Sequence, residues 1–487
     1  MDTNGHPEDA KKTGKRMSKL TPPAISSGNV PRAREKSGGD ERKAPSLSRR
    51  AVITGLLSGL ASGVTLGSPV ASAEQNFWQA IQGFGSSAEP AVRERRPALD
   101  PLEDLRANRT PMRSNEMLDA LDGAYITYER IVKAGGWPQL PGNRMIRPGD
   151  EDQRVPLLRR RLIAESYLKR GSGFDGFTYD GEVELAVQRF QETHGLRPSG
   201  RVDRPTLAEL NVTAEARLKQ LRLNAQRLQE LSPHRTEDRY ILVNVPAFQL
   251  EAVERGDVHL RHRVIVGRVG RDTPTIRATV RALNFFPYWR VPDSIATLDV
   301  APKLVKEPDY LEREKIRLVS AANGSEVDSR NVDWSTFDSK RWKFRQDPGP
   351  QNALGLVRID MVNEHGVYMH DTPLKDLFKQ RARDFSAGCV RVQDVFQLAE
   401  WIARYEAGWE QPGRVEQVVA AGQALDVTLT RPMPVYFSYI TAWAEPDGRI
   451  EFRPDIYNRD GIHGTPVALE AEPGDAPPPL TTKALSP

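Results

Sequence analysis

Cysteine is nearly absent from this 487-residue chain, which contains only Cys389. One cysteine excludes an intramolecular disulfide framework and any metal site built from clustered cysteines. Long hydrophobic runs are also missing: no strongly apolar stretch of 18 residues or more follows residue 75, so we expect no membrane span in the mature chain. With 38% hydrophobic and 28% charged residues, the composition is that of an ordinary globular protein with room for two to four domains.

Outside the amino-terminal leader, acidic and basic residues are nearly balanced in number. The chain holds 69 Lys and Arg against 65 Asp and Glu, a formal net charge of +4. Residues 1–50 contain 12 of the basic and 6 of the acidic residues, so the rest of the chain carries −2. This balance gives no electrostatic basis for binding nucleic acid, and we expect no such partner.

Residues 1–73 have the order of a bacterial export signal. A basic preface leads to Arg49-Arg50, then to an uncharged stretch, and then to Ala71-Ser72-Ala73. This order predicts a basic leader with a twin-arginine-type signal peptide. A glycine at every fourth position between residues 55 and 67 leaves a retained membrane anchor as the alternative.

Helical patterns dominate the sequence as far as residue 238. Spaced apolar residues from residue 115 onward predict a helix that ends at the breaker cluster Gly135-Gly136-Trp137-Pro138. Three shorter helical patterns follow, and then one long amphipathic pattern. We expect a linker over 74–112, a helical scaffold over 113–150, a three-helix module over 151–212 and a connecting helix of the scaffold over 213–238.

The periodicity changes from helical to alternating near Tyr240. Alternation on both sides of Arg255-Gly256-Asp257 predicts a β-hairpin, and strand patterns recur to about residue 443. We therefore expect an α+β protein, with a mostly β domain over 239–465, an insertion at about 285–350 and a Pro-rich tail over 466–487. The aromatic residues of the insertion could simply form a core of its own.

One short region carries residues suited to covalent catalysis. His370 ends an apolar strand pattern, and Cys389 follows the small-residue turn Ser386-Ala387-Gly388. We expect this turn to lead into a helix over 391–407, whose amino-terminal dipole would favour a thiolate. The backbone N–H groups of Gly388 and Cys389 could then bind an oxyanion, and a nearby imidazole would complete a nucleophile–base pair.

Other interpretations of these residues stay open on chemistry alone. A lone cysteine is more often a buried apolar residue than a nucleophile, and a histidine at a strand end is usually structural. His365, His370, Asp371 and Cys389 could in principle bind zinc, but no paired spacing such as HxxxH or CxxC occurs. We therefore expect no metal and no other cofactor.

The order of the motifs resembles one enzyme family. HDTP at 370–373 followed by SAGCVRV at 386–392 resembles the catalytic signature of the L,D-transpeptidases, which have a YkuD-type catalytic domain. Within 151–212, AVQRFQETHGLRPSGRVDRPTLAELN is similar to a three-helix peptidoglycan-binding domain. Further strings are in the order shown by the large multidomain periplasmic branch: GGWPQLP, FFPYWRVPDSI, RQDPGPQNALG, VYFSYITAW and FRPDIYNRD. The resemblance implies that 239–465 is the catalytic domain and that the insertion at about 285–350 is a capping subdomain over its active site.

The resemblance implies a cysteine acyltransferase that acts on peptidoglycan. In the family, the cysteine attacks the L-centre carbonyl of diaminopimelate in a tetrapeptide stem and releases D-alanine. The amine of a second stem then takes the acyl group, which gives a 3→3 cross-link. Donor and acceptor stems would be the partners, in the periplasm of a Gram-negative bacterium, and the product would serve cell-wall biogenesis and cell shape.

Residue roles follow from the same resemblance. Cys389 would be the thiol nucleophile and His370 the general base and acid, with the Gly388 and Cys389 N–H groups as oxyanion donors. Arg391 would orient the loop or a substrate carboxylate, or make a structural ion pair. Three further candidates for orienting the substrate or the ring lie in the same motifs: Ser386, Asp371 and Tyr368.

Two departures from the family pattern narrow the choice of base. Smaller members carry a histidine two residues before the cysteine, where this chain has Ala387. His365-Gly366 imitates a His-Gly motif, but it precedes the strand, so we prefer His370. The Asp371 carboxylate could orient the His370 ring or could cap an Asx-turn before Pro373.

Other functions remain compatible with this sequence. Water as the acceptor would give an L,D-carboxypeptidase, and a protein amine would give covalent anchoring of a partner to the wall. A non-catalytic peptidoglycan-binding scaffold is the alternative from another class, although the intact Cys389–His370 pair favours an enzyme.

Overall fold

A computed structural model describes residues 104–171, 176–232 and 237–461 of the chain. The predicted signal over 1–73, most of the linker over 74–112 and the Pro-rich tail over 466–487 lie outside these residues. Among the residues described, no helix has both the length and the apolar character needed to cross a lipid bilayer.

Five helices precede residue 232 in the described chain. Four of them begin at a residue whose side chain accepts a hydrogen bond from a backbone N–H of the first turn: Ser114, Asp180, Asp203 and Thr213. The helices are α1 (Asn115–Lys133), α2 (Val155–Ala164), α3 (Gly181–Thr193), α4 (Arg204–Leu210) and α5 (Ala214–Leu231). Helices α2, α3 and α4 share one apolar core around Leu158, Val187 and Phe190.

A nine-stranded sheet and a smaller four-stranded sheet account for most of the remaining residues. The first eight strands are β1 (Arg239–Asn244), β2 (Gln249–Glu254), β3 (Asp257–Gly267), β4 (Ile276–Phe285), β5 (Trp289–Arg290), β6 (Ile316–Ser320), β7 (Glu326–Val327) and β8 (Trp342–Gln346). The others are β9 (Val357–Val362), β10 (Met369–His370), β11 (Asp384–Ser386), β12 (Val390–Val392), β13 (Leu425–Ser438), β14 (Ala442–Ala444) and β15 (Ile450–Phe452).

The large sheet has the order β11-β3-β12-β10-β9-β4-β13-β1-β2, and β3 also pairs with β2. The long β3 therefore closes the sheet on itself, with β2 along its first part and β12 along its end. The predicted hairpin is present between β2 and β3, where Arg255 and Gly256 adopt the positive φ angles of a tight turn. Two helices, α9 (Val395–Ala403) and α10 (Arg414–Ala421), follow β12, and the packed face of α9 belongs to the core of this sheet.

The smaller sheet has the order β5-β8-β6-β7 and lies within residues 289–346, which we call the capping subdomain. Its own apolar core includes Leu304, Leu318 and Phe344. The ring of Trp334 stacks on that of Phe344 with centroids 5.9 Å apart, so this tryptophan is a core aromatic residue. Short helical pieces complete the subdomain: α6 (Asp293–Ile295), a π-helical turn (Ala296–Val300), α7 (Ala301–Leu304) and α8 (Tyr310–Arg313).

Residues 104–112 are packed against the sheet, which the prediction of a linker up to residue 112 did not anticipate. The buried Arg106 guanidinium lies 2.6 Å from Glu251 and 2.5 Å from Glu445. Asp104 lies 2.6 Å from Arg263 and 2.7 Å from Arg383. Local sequence could not indicate these ion pairs, because the partners are far along the chain and meet only in the folded sheet.

The predicted α+β class is confirmed: helices and a three-helix module precede a mostly β catalytic domain. Alternation along β9 explains how the sheet positions functional groups. Val357, Ile359 and Met361 enter the apolar core, whereas Arg358 and Asp360 lie on the opposite face. That opposite face carries the candidate active site.

Candidate active site

The two catalytic motifs meet on neighbouring parallel strands. His370 of β10 is opposite Arg391 of β12, and the Val390 N–H donates to the Tyr368 carbonyl over 3.0 Å. His370 and Arg391 alternate with the core residues Met369 and Val390, whereas Tyr368 and Cys389, each one residue before its strand, are partly buried and pack against that core. The structure therefore brings together the residues that the sequence analysis assigned to the nucleophile and the base.

His370 is held in its neutral form. Its ring is buried, and Nδ1 lies 2.5 Å from the Asp371 carbonyl oxygen. A carbonyl can only accept, so Nδ1 carries the proton and Nε2 keeps its lone pair. The pKa of His370 falls to about 3, chiefly through burial and then through the Arg391 guanidinium. The imidazole is consequently uncharged at neutral pH.

The prediction that Cys389 precedes a helix is wrong. Cys389 leads into the strand β12, and the following helix begins only at Val395. Val390 and Val392 are β-branched and are buried in the sheet between β3 and β10, which favours a strand over a helical turn. The thiol therefore gains no stabilisation from a helix dipole.

Burial, rather than a helix dipole, has the largest effect on the pKa of the Cys389 thiol. Desolvation raises the pKa of the thiol, and hydrogen bonds with Tyr368 and the Arg391 charge oppose that rise only in part. The resting pair is therefore a thiol and a neutral imidazole, not a thiolate and an imidazolium.

Ser386 stabilises the turn before Cys389 through two hydrogen bonds of its hydroxyl group. The buried Ser386 hydroxyl donates to the Cys389 carbonyl over 2.5 Å and accepts from the Gly388 N–H over 3.1 Å. Gly388 has a φ of +117°, a conformation that favours glycine, and its carbonyl accepts from Thr273 Oγ1 over 2.8 Å. Of the two predicted oxyanion donors, the Gly388 N–H is thus engaged within the turn. The Cys389 N–H makes no hydrogen bond to another described residue.

Asp371 orients the His370 ring through its backbone, whereas its carboxylate acts elsewhere. The carboxylate accepts from the Leu356 N–H over 2.9 Å and pairs with Lys375. Gly355 must be a glycine here, since a Cβ would lie 2.3 Å from Asp371 Oδ2. Asp371, which directly follows His370, therefore anchors the segment before β9 through its carboxylate.

A second arginine, which the sequence analysis missed, flanks His370 from the other side. Arg358 of β9 is opposite His370, so Arg358, His370 and Arg391 form one row across three strands. The Arg358 Nε donates to Asn284 Oδ1 over 3.1 Å, and its Nη2 lies 3.2 Å from Asp360. Alternation in the string VRIDM, which places Arg358 and Asp360 on the polar face, was the signal available.

Three other features mark the edges of the site. The Trp289 side chain of the capping subdomain hydrogen-bonds that of Tyr368. Asp299 of the same subdomain pairs with Arg271, next to the segment that holds Gly388. His365 is exposed in the turn between β9 and β10, away from this arrangement. Within residues 104–171, 176–232 and 237–461, no group of three or more His, Cys, Asp and Glu has a geometry that could hold a metal ion.

Comparison with known proteins matches two regions of the chain. Residues 238–469 match the profile of the YkuD family, described as an L,D-transpeptidase catalytic domain, and residues 151–210 match a peptidoglycan-binding domain. A curated Haemophilus influenzae protein named "Putative L,D-transpeptidase" is 34% identical over 257 residues, 53% of this chain and 50% of that protein. The chain thus spans about half the length of this relative.

Solved structures with similarity to the chain include three described as L,D-transpeptidases. That from Xylanimonas cellulosilytica has 16% identity, with 62% of this chain and 98% of that chain covered and a TM-score of 0.18. That from Stackebrandtia nassauensis has 14% identity, with coverage of 62% and 96% and a TM-score of 0.21. That from Mycobacterium smegmatis has 11% identity, with coverage of 41% and 58% and a TM-score of 0.19. The sequence matches therefore carry the assignment: the chain contains a YkuD L,D-transpeptidase catalytic domain preceded by a peptidoglycan-binding domain.

Proposed function

We propose that this protein is a cysteine acyltransferase that forms 3→3 peptidoglycan cross-links in the periplasm after export through its twin-arginine-type signal. The observation that supports this function best is the position of the neutral, oriented His370 on β10, which pairs with β12, the strand that directly follows Cys389. The peptidoglycan-binding domain in the same chain supports peptidoglycan as the substrate.

Acylation begins when Cys389 attacks the L-centre carbonyl of diaminopimelate in a donor tetrapeptide stem. The S–C bond forms as the thiol proton passes to Nε2 of His370. The Cys389 N–H, which has no backbone partner among the described residues, donates to the oxyanion that develops. The C–N bond to D-alanine then breaks, and the proton on Nε2 goes to the departing amine.

Deacylation reverses the direction of the proton. The side-chain amine of an acceptor stem attacks the thioester, a C–N bond forms, and the S–C bond breaks. His370 takes a proton from the attacking amine and returns one to the Cys389 sulfur, which restores the resting thiol. With water in place of the amine the same steps give an L,D-carboxypeptidase, and with a protein amine they give wall anchoring.

Intact-protein mass spectrometry with purified tetrapeptide muropeptides tests the proposal. We expect an adduct with the mass of the stem minus D-alanine on the native protein and none on Cys389→Ala. The products in the same reaction separate dimers with 3→3 links from hydrolysed tripeptides. If neither adduct nor product forms while the folded protein still binds sacculi, a non-catalytic scaffold replaces the enzyme.

A further inference from the structure

The general base lies between two cationic side chains. Arg358, His370 and Arg391 occupy one row on three adjacent strands, and neighbouring strands are separated by about 4.8 Å. All three residues alternate with core residues of their strands, and Cys389 precedes Arg391 by two residues. The imidazole of His370 therefore has an arginine on the strand to either side.

Arg391 has guanidinium nitrogens without a partner in the described part of the chain, whereas Arg358 is paired but partly exposed. Nε and Nη1 of Arg391 are buried and have no hydrogen-bond partner among the described residues. Arg358 contacts Asp360 and Asn284, but its side chain is 31% exposed and can still meet a ligand. Unpaired buried guanidinium groups are costly, and a carboxylate is their most effective partner.

The chemistry of the proposed reaction places a carboxylate at this position. On the proposed function, His370 must reach the nitrogen of the departing D-alanine in order to protonate it. The α-carboxylate of that D-alanine is only two bonds from the same nitrogen. We propose that Arg358 and Arg391 bind the carboxyl-terminal carboxylate of the donor stem on either side of His370, and so select stems that end at D-alanine.

Binding of that carboxylate also acts on the proton transfer. In the free protein the two arginines disfavour a protonated His370, which opposes removal of the Cys389 proton. A bound carboxylate offsets both positive charges while the thiol proton moves to Nε2, the S–C bond forms and the amine leaves with that proton. Arg358 is accordingly a substrate-binding residue that also adjusts the base.

The experiment compares three synthetic tetrapeptide donors with the full chain: the free acid, the carboxyl-terminal amide and the amide of the diaminopimelate side-chain carboxylate. We expect the native protein to prefer the free acid to the carboxyl-terminal amide by about 10- to 100-fold in kcat/KM. Arg358→Gln should lower kcat/KM for the free acid about tenfold relative to that for the carboxyl-terminal amide, so that the native preference for the free acid is reduced. Arg449→Gln, an exposed turn residue, is the matched control and should keep the native preference.

Each alternative outcome identifies what has failed. The inference would be overturned, while the transpeptidase function stands, if the native protein had equal kcat/KM values for the free acid and the carboxyl-terminal amide. A kcat/KM that fell only for the donor with an amidated diaminopimelate side chain would have the same meaning. Equal losses on all donors in Arg358→Gln would mark a structural role and also overturn it. No reaction with any donor would overturn the proposed function itself. Urea denaturation of each variant monitors the fold. Arg391→Lys, which keeps the positive charge but cannot make a bidentate contact with a carboxylate, provides the second variant and should also lower the preference for the free acid.

Discussion

Cys389 and His370 are both uncharged at rest, and this determines how the nucleophile is made. Burial raises the pKa of the thiol and lowers that of the imidazole to about 3. A preformed thiolate–imidazolium pair would need the opposite shifts. On the proposed function, the thiolate therefore arises by proton transfer to His370 during the attack on the substrate.

The pH dependence of Cys389 alkylation tests this description of the pair. Because the pKa of the thiol is raised, its thiolate fraction is small at neutral pH and grows about tenfold with each pH unit below that pKa. We expect the rate of reaction with iodoacetamide to rise continuously across the neutral range, as measured by intact mass. A rate that is constant from acid to neutral pH would indicate a low-pKa thiolate and would contradict the assignment.

Ser386 offers a second prediction at the scale of single residues. Ser386→Ala leaves the Gly388 N–H and the Cys389 carbonyl without their shared partner in a buried turn. We expect the free energy of unfolding to fall by about 1–3 kcal/mol and thioester formation to slow, as followed by urea denaturation and mass spectrometry. Ser335→Ala, on an exposed turn of the capping subdomain, should change neither quantity. An unchanged acylation rate in Ser386→Ala would show that the two hydrogen bonds of the Ser386 hydroxyl do not position Cys389.

At the scale of elements, the close packing of the segment before β9 positions the base. A Cβ at Gly355 would lie 2.3 Å from the Asp371 carboxylate, and the φ of +62° at Gly355 also disfavours a side chain. Any displacement of Asp371 moves the carbonyl that holds His370 Nδ1. The position of the general base thus depends on a glycine fifteen residues away.

Gly355→Ala should therefore impair both stability and catalysis. We expect a loss of about 1–3 kcal/mol in the free energy of unfolding and a marked fall in thioester formation, because the added methyl group must displace Asp371. Gly123→Ala is the matched control: this exposed position within α1 has no atom within 4 Å of an added Cβ. There we expect stabilisation by about 0.5–1 kcal/mol. Native acylation in Gly355→Ala would refute the proposed coupling to His370.

The same region shows how far sequence reasoning reaches. The strand before His370 and the small-residue turn before Cys389 follow from local alternation and composition, and the structure contains both. The expected helix after Cys389 did not form there, because Val390–Val392 pairs with β3 and β10 and its β-branched valines favour a strand. Arg358 was missed for a related reason, since its place beside His370 depends on strand register rather than on local sequence.

At the scale of the whole molecule, the peptidoglycan-binding domain is packed against the end of the catalytic domain. His194 at the end of α3 stacks between Phe190 and Phe452, with ring centroids 3.8 Å and 5.2 Å away. Arg453 donates to the Thr193 carbonyl over 3.1 Å. These contacts hold the binding domain in one orientation, and sequence could not predict them because they join residues about 260 positions apart.

Acid should weaken this junction, because His194 is buried in its neutral form. Burial and the neighbouring Arg217 lower the pKa of His194 well below that of the unfolded chain, so the unfolded state binds more protons as the pH falls. Stability therefore rises with pH and is lost below the unfolded value of about 6.5. Near pH 5.5 the loss from this one residue should be about 1.4 kcal/mol, whereas at pH 7.5 it should be negligible.

His194→Phe isolates this contribution from the other titrating groups. His262 and His370 have pKa values lowered to about 4 and about 3 and act in the same direction, whereas Asp384, with a pKa raised to about 6, opposes them. A phenylalanine can keep the stacking on Phe190 and Phe452 but cannot be protonated. Urea unfolding at the two pH values should show a pH-dependent loss smaller by about 1.4 kcal/mol in the variant than in the native protein. An identical loss in both proteins would mean that His194 does not control the acid response of the junction.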